Sequence, residues 1–267
     1  MRELDLETNH EAHAPAPGAS PVAGANPAPS QRIAIIGRGR AGTTFATGLD
    51  HAGHQVVGPL GRGEPLPADC DVVMICVPDG SIAEVVDLIP EGPLLAHCCG
   101  AHGVELLSGR RGFCIHPLMT LDGSHEALTG SWAAIDATDS PSRALATSLA
   151  SDLGMEPVQI GSEDRAAYHA AAAIASNFLI TLEAAAERLA ASAGLPRESL
   201  APLVERTVTN WKSHGARSAL TGPVARGDDA TVAAHRAAIA DRAPDLLELF
   251  DALRAATERL AAERTPA

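Results

Sequence analysis

Three short stretches of this sequence concentrate the residue types that do chemistry. Residues 96–102, Ala-His-Cys-Cys-Gly-Ala-His, and residues 115–120, Ile-His-Pro-Leu-Met-Thr, bring imidazoles and thiols together. Residues 168–177, Tyr-His-Ala-Ala-Ala-Ala-Ile-Ala-Ser-Asn, set a histidine and an asparagine among small apolar residues. Helical spacing puts His169, Ala173 and Asn177 on one face, because residues four apart stack. Such a pair is either packed against local polar partners or catalytic. His97, Cys99, His102, Cys114 and His116 are chemically suitable zinc ligands, and the same thiols could form a redox sensor. The spacing contains no CxxC pair, and on a strand His97 and Cys99 share a face that Cys98 does not. We therefore expect no metal, and read Cys98 and Cys99 as small buried or pocket-lining residues.

A fourth stretch, residues 32–42, Arg-Ile-Ala-Ile-Ile-Gly-Arg-Gly-Arg-Ala-Gly, is an apolar β run ending in a glycine turn that opens onto a helical pattern. Strand, GxGxxG and helix in that order form a dinucleotide site. Gly37 permits the turn, Gly39 lets backbone approach a pyrophosphate, and Gly42 lets the helix pack on the strand while its N-terminus faces the anion. Arg38, Arg40 and Ala41 complete the loop. An acid at the end of the second strand would hold the ribose 2′-hydroxyl of NAD, and an arginine suits the 2′-phosphate of NADP. Residues 57–62, Val-Gly-Pro-Leu-Gly-Arg, supply Arg62 and no acid, so NADP is expected. The alternative for Arg38, Arg40 and Arg62 is solvated surface charge. Val77 and Pro78 end a further apolar run, residues 71–79, where they would wall the nicotinamide or simply stop a strand.

The elements that must position these groups are visible in the pattern. Residues 1–30, acidic and rich in Ala, Pro and Gly, bury too little apolar surface to order and are expected to be a disordered tail. Apolar runs at 33–36, 55–58, 72–77, 94–97, 112–115, 132–135 and 157–160 alternate with helical patterns, so residues 31–161 should form an α/β, Rossmann-type, mainly parallel sheet. Residues 162–267 should be all helical, beginning with one helix over 163–193 and continuing over 198–213, 228–241 and 243–263. So long a first helix implies packing against a second copy, a homodimer. A net charge of -13, with 3% aromatics and no dense basic block, argues against nucleic acid as a partner. No apolar run reaches the roughly 20 residues of a spanning helix. The start of the chain lacks the basic and apolar regions of a signal peptide. Five cysteines, odd in number and confined to one stretch, do not read as a secreted disulfide framework. A cytoplasmic protein acting on a small molecule is expected.

These segments resemble the superfamily of 6-phosphogluconate dehydrogenase, 3-hydroxyisobutyrate dehydrogenase, ketopantoate reductase and pyrroline-5-carboxylate reductase. More closely, the chain resembles the branch known as a Rossmann-like domain with a C-terminal domain of unknown function. The resemblance is carried by His97-Cys-Cys-Gly100-Ala101, His116-Pro117-Leu118, Tyr168-His169-Ala-Ala, Ser176-Asn177 and the string Ala219-Leu-Thr-Gly-Pro-Val-Ala-Arg-Gly-Asp228. It implies a Rossmann domain, then a helical domain, with the active site in the cleft between them. The implied activity is NADPH-dependent reduction of a small carbonyl or imine acid, with 2-keto acids such as ketopantoate the first to test. In several relatives a lysine and an asparagine four residues apart bind substrate and move the proton. Asn177 matches the asparagine, but the lysine position is Ala173, so His169 or His116 would take its place. Cys99-Gly100-Ala101 stands where relatives carry Ser-Gly-Gly against the substrate. Arg226, in the loop that begins at Thr221, is the candidate for the substrate carboxylate. The alternative is a non-catalytic NADP-binding regulatory or redox-sensing protein whose missing lysine reflects lost catalysis.

Overall fold

The computed structural model describes residues 30–263. The tail expected over 1–30 lies outside the described residues except for Ser30. Seven strands, β1 (Arg32–Ile36), β2 (Gln55–Leu60), β3 (Val72–Ile75), β4 (Leu94–His97), β5 (Gly112–Pro117), β6 (Trp132–Ala137) and β7 (Glu156–Gln159), form one sheet. Its order is β2-β1-β3-β4-β5-β6-β7. Every neighbouring pair is parallel except β5 and β6. The loop joining those two needs no crossover helix, because an antiparallel neighbour can be reached by a simple return.

Period-two alternation sorts the strand residues between two cores. Ile33 and Ile35, with Met74, Phe113 and Ile115, pack beneath helices α1 (Arg40–His51) and α3 (Ser140–Asp152). Ala34, with Val73, Ile75 and Leu95, faces α2 (Ile82–Leu88) on the other side. Both faces of the sheet are covered, so the strands read as nearly unbroken apolar runs. The carboxyl ends of β1, β3, β4 and β5 all reach the same edge, where open α/β sheets place their ligands.

The chain divides into two compact units, one ending at Ala173 and one starting at Ile174. The first includes α4 (Arg165–Ala173); the second contains α5 (Leu179–Ser192), α6 (Ala201–Ala219), α7 (Pro223–Arg226), α8 (Asp229–Arg242) and α9 (Leu247–Ala262). The regular helix expected over 163–193 is interrupted: a π turn occupies Ile174–Phe178 between α4 and α5. Polar side chains compete with the helical ladder there. The Thr181 hydroxyl donates to the Asn177 carbonyl at 3.2 Å, and the Ser176 hydroxyl donates to Asn177 Oδ1 at 3.0 Å. Stacking of residues four apart therefore does not carry from Ala173 to Asn177 as it would in an unbroken helix.

By length and composition alone Arg165–Ser192 is long and apolar enough to cross a membrane, a test that a core helix of a soluble protein also passes. Its first turn is nonetheless embedded in the sheet unit through Arg165, which is 2% exposed.

Candidate active site

The glycine loop follows from sterics. Gly37 has φ +118°, and a Cβ there would lie 2.2 Å from the Cys76 carbonyl oxygen, where β3 runs alongside. A Cβ on Gly42 would come within 1.8 Å of the Gly37 carbonyl oxygen. Gly39 differs: a Cβ would meet nothing within 4 Å, so the protein does not need glycine there for its own packing. The open space lies where Gly39 starts α1, and α1 has neither a side-chain cap nor an acidic residue in its first turn. Exposed N–H groups with room in front of them fit a pyrophosphate. The fit to a dinucleotide thus rests on a cradle that the chain leaves open.

Beside this loop lies a cavity of about 870 Å³, lined by Gly37, Arg38, Arg62, Glu64, Val77 and Pro78 among others. Arg62 is exposed there and makes no hydrogen bond or ion pair among the described residues. Arg38 is engaged: its Nη2 pairs with Glu64, and its Nε donates to the Pro59 carbonyl at 3.3 Å. Arg40 and Ala41 begin α1. Glu64 is an acid that the reading of residues 57–62 missed, because it lies beyond the strand end and a turn brings it back. Its carboxylate accepts the Gly61 N–H at 3.0 Å.

The second group of residues meets past β4. His97 is buried, and both its ring nitrogens are used by the chain itself: the Cys99 N–H donates to Nδ1 at 3.2 Å, and Nε2 bonds the Gly103 carbonyl at 2.9 Å. This pairing shapes the turn carrying Cys99, Gly100 and Ala101, and leaves His97 no nitrogen for a metal. Burial pulls its pKa down to about 4, against a partial rise from the Gly103 bond. His116, on β5, and His169, on α4, converge on that turn. A Cβ at Gly100 would lie 2.6 Å from His116 Nε2 and 2.7 Å from His169 Cδ2, so the missing side chain makes room for both rings. The rings stand 6.0 Å apart between centroids, nearly perpendicular.

Tyr168 is the partner that sequence reasoning did not assign. Its hydroxyl lies 2.7 Å from His116 Nδ1, and the two rings meet edge to face. The same hydroxyl can donate to the His116 carbonyl at 3.4 Å, and Nε2 is the ring atom turned towards Gly100. Burial, then the neighbouring His169 and Arg165, hold the His116 pKa down at about 4. The thiols stay protonated as well. Burial and Asp79 push Cys99 up to about 11, and burial pushes Cys114 up to about 12.

Arg165 was also missed, since an arginine opening a helix normally reads as surface. Its Nη1 donates to the carbonyls of Cys99 at 3.2 Å and His102 at 3.1 Å and contacts Cys114 Sγ at 3.3 Å. Its Nε and Nη2 are buried without a partner. Among the described residues it has no carboxylate within ion-pair distance. Asn177, Thr221 and Arg226 belong to the helical unit, where all three are exposed.

Residues 131–257 match the model of a domain of unknown function, DUF2520. A search of curated proteins returned no match. Among solved structures, a Bacteroides fragilis protein with a provisional NADP oxidoreductase name is 22% identical with a TM-score of 0.74, over 86% of this chain and 98% of that one. A Thermotoga maritima protein is 24% identical with a TM-score of 0.71, over 88% of this chain and 100% of that one. The pyrroline carboxylate reductase of Plasmodium falciparum, solved with NADP bound, is 13% identical with a TM-score of 0.55, over 86% of this chain and 98% of that one. At these identities the likeness establishes the fold, a Rossmann-type sheet followed by a helical region.

Proposed function

We propose that the chain is an NADPH-dependent reductase of a small carbonyl or imine acid, with 2-keto acids such as ketopantoate as the first candidates. The observation that carries this reading is the convergence of His116 and His169 on Gly100, at the same sheet edge as the open glycine loop. The names of the Bacteroides and Plasmodium proteins support an NADP-dependent reaction. In this reading residues 31–161 hold the dinucleotide, and residues 162–267 supply substrate contacts and the dimer interface.

When bound, NADPH supplies a hydride. Gly37, Gly39 and Gly42 with the N-terminus of α1 hold the pyrophosphate, Arg62 meets the 2′-phosphate, and Val77 and Pro78 wall the nicotinamide. His116, neutral near pH 7, donates a hydrogen bond from Nε2 to the substrate oxygen or nitrogen. His169, exposed on α4, delivers the proton. Asn177, Thr221 and Arg226, on the helical unit, are the candidates that the resemblance offers for substrate contact. Arg165 adds an unpaired buried cation next to the turn at Cys99, which favours an anionic substrate.

The helical unit exposes Ile174, Phe178, Ile180, Leu203 and Trp211, and among its described apolar residues only Ile239 and Ala243 are buried. A second copy of the chain would cover that surface, giving a homodimer. Five free cysteines suit a reducing, cytoplasmic setting.

The test is a panel of 2-keto acids and cyclic imino acids with NADPH, followed by loss of reduced-nicotinamide absorbance. Turnover is expected, and His169→Ala should lower it by roughly 100-fold while leaving NADPH affinity intact. If His116→Ala abolishes turnover and His169→Ala does not, the two roles exchange. Tight NADPH binding with no turnover of any class would favour a non-catalytic nucleotide sensor.

A further inference from the structure

We infer that Glu64 is a cofactor-specificity residue: by tethering Arg38 it weakens the pocket's selection for a 2′-phosphate. The inference rests on the dinucleotide reading of the same cavity and concerns which dinucleotide that cavity prefers.

The geometry is local. Strand β2 ends at Leu60, and the following turn closes when the Glu64 N–H donates to the Gly61 carbonyl at 3.3 Å. This turn returns the Glu64 carboxylate to the strand end, where one oxygen accepts the Gly61 N–H at 3.0 Å and the other pairs with Arg38. Arg38 is held from a third side by the Pro59 carbonyl. Its guanidinium lies flat over Gly61, where a Cβ would come within 3.2 Å of Cζ. The Gly61 N–H and the Arg38 charge hold the Glu64 carboxyl below its usual range, so it is ionised at neutral pH. Both residues line the cavity of about 870 Å³, as does the unpaired Arg62.

Counted by residue type, the cavity mouth offers two cations to a phosphate. Counted by contacts it offers one, because Arg38 and Glu64 neutralise each other. A 2′-phosphate must share Arg38 with a carboxylate that repels it, whereas a ribose 2′-hydroxyl can donate to that carboxylate. Glu64 therefore pulls towards the unphosphorylated nucleotide and Arg62 towards the phosphorylated one.

Adenosine 2′,5′-bisphosphate and 5′-AMP probe only this end of the cavity, so calorimetric titration of the full chain with each isolates the effect from catalysis. Glu64→Gln should tighten the bisphosphate about tenfold and leave 5′-AMP unchanged or weaker. Adding Arg38→Ala to that variant should remove the gain. Glu64→Ala, with the same expected direction, guards against an effect peculiar to glutamine, and circular dichroism checks that each variant is folded. A bisphosphate-to-AMP preference that stays within about twofold of wild type in both variants overturns the inference while leaving the dinucleotide reading intact. A gain that survives Arg38→Ala overturns the tethering. Wild-type protein that binds neither probe overturns both readings at once.

Discussion

Acidification should unlock the turn that carries Gly100, and the cost can be worked from His97. Its Nδ1 accepts the Cys99 N–H and its Nε2 bonds the Gly103 carbonyl, so a proton added to Nδ1 would face a donor. The folded protein holds this imidazole at a pKa of about 4, against 6.5 for the free side chain. Between those values the unfolded chain binds the proton and the native one does not, so stability rises with pH across the window. The contribution is fully present above pH 6.5 and is lost as pH falls towards 4. A shift of that size corresponds to about 3 kcal/mol in total, of which about 2 kcal/mol should be gone by pH 5. His116, lowered for the same principal reason, adds a loss of the same sign. Urea unfolding at half-unit steps from pH 7 to pH 5 measures this before most carboxylates titrate. His97→Asn keeps an acceptor near the Cys99 N–H but removes the titration, and should flatten the pH slope by the same 2 kcal/mol or so. An unfolding midpoint that does not move between pH 7 and 5 would refute the reasoning, as would a His97→Asn variant with the full wild-type slope.

Arg62, unpaired at the cavity mouth, should give NADPH at least a tenfold advantage over NADH, about 1.4 kcal/mol, and Arg62→Ala should erase most of it in a fluorescence titration of both cofactors. Gly100→Ala places a methyl group 2.6 Å from His116 Nε2 and should cut turnover by roughly tenfold or more through displacement of a ring, with NADPH affinity unchanged. Light scattering at micromolar protein should report twice the 27.4 kDa chain mass, and an active monomer would rule the dimer out. If the chain is dimeric, mixing Arg226→Ala with His169→Ala subunits should restore partial activity only where Arg226 serves the neighbouring site.

What could be read from the sequence was whatever depends on local pattern. The seven strands announce themselves because a sheet covered on both faces needs apolar runs such as residues 33–36 and 72–77, and Gly37 and Gly42 announce the turn because only glycine fits there. His116 and His169 were legible as candidates by type, but their meeting at Gly100 was not, since it joins residues far apart in sequence. Tyr168 shows the limit: adjacent to His169, it serves His116, 52 positions away. His97 was weighed as a zinc ligand and turns out to hold a backbone turn, a use that residue type cannot distinguish. Glu64 lies beyond the strand end, and only the turn that folds the chain back brings it to Gly61 and Arg38. Arg165 left no signal, since burial of a helix-opening arginine is decided by tertiary packing.

The absence of a lysine at position 173 changes the chemistry asked of the histidines. A lysine donor would be positively charged at neutral pH and could give up a whole proton. His116, held near pKa 4, is mostly neutral at pH 7, so it is poorly placed to act as an imidazolium. The neutral ring has a different use. In the proposed mechanism its Nε2–H would polarise a carbonyl or imine without leaving, with the Tyr168 phenol donating to Nδ1. A full proton must then come from a group in exchange with solvent, and His169, exposed and perpendicular to His116 at 6.0 Å, meets that requirement. In the proposed mechanism two imidazoles, one buried and neutral and one exposed, would divide between them the work that a single lysine would perform. The same proposal gives Gly100 a use, because both rings approach one point and a side chain there would displace one of them.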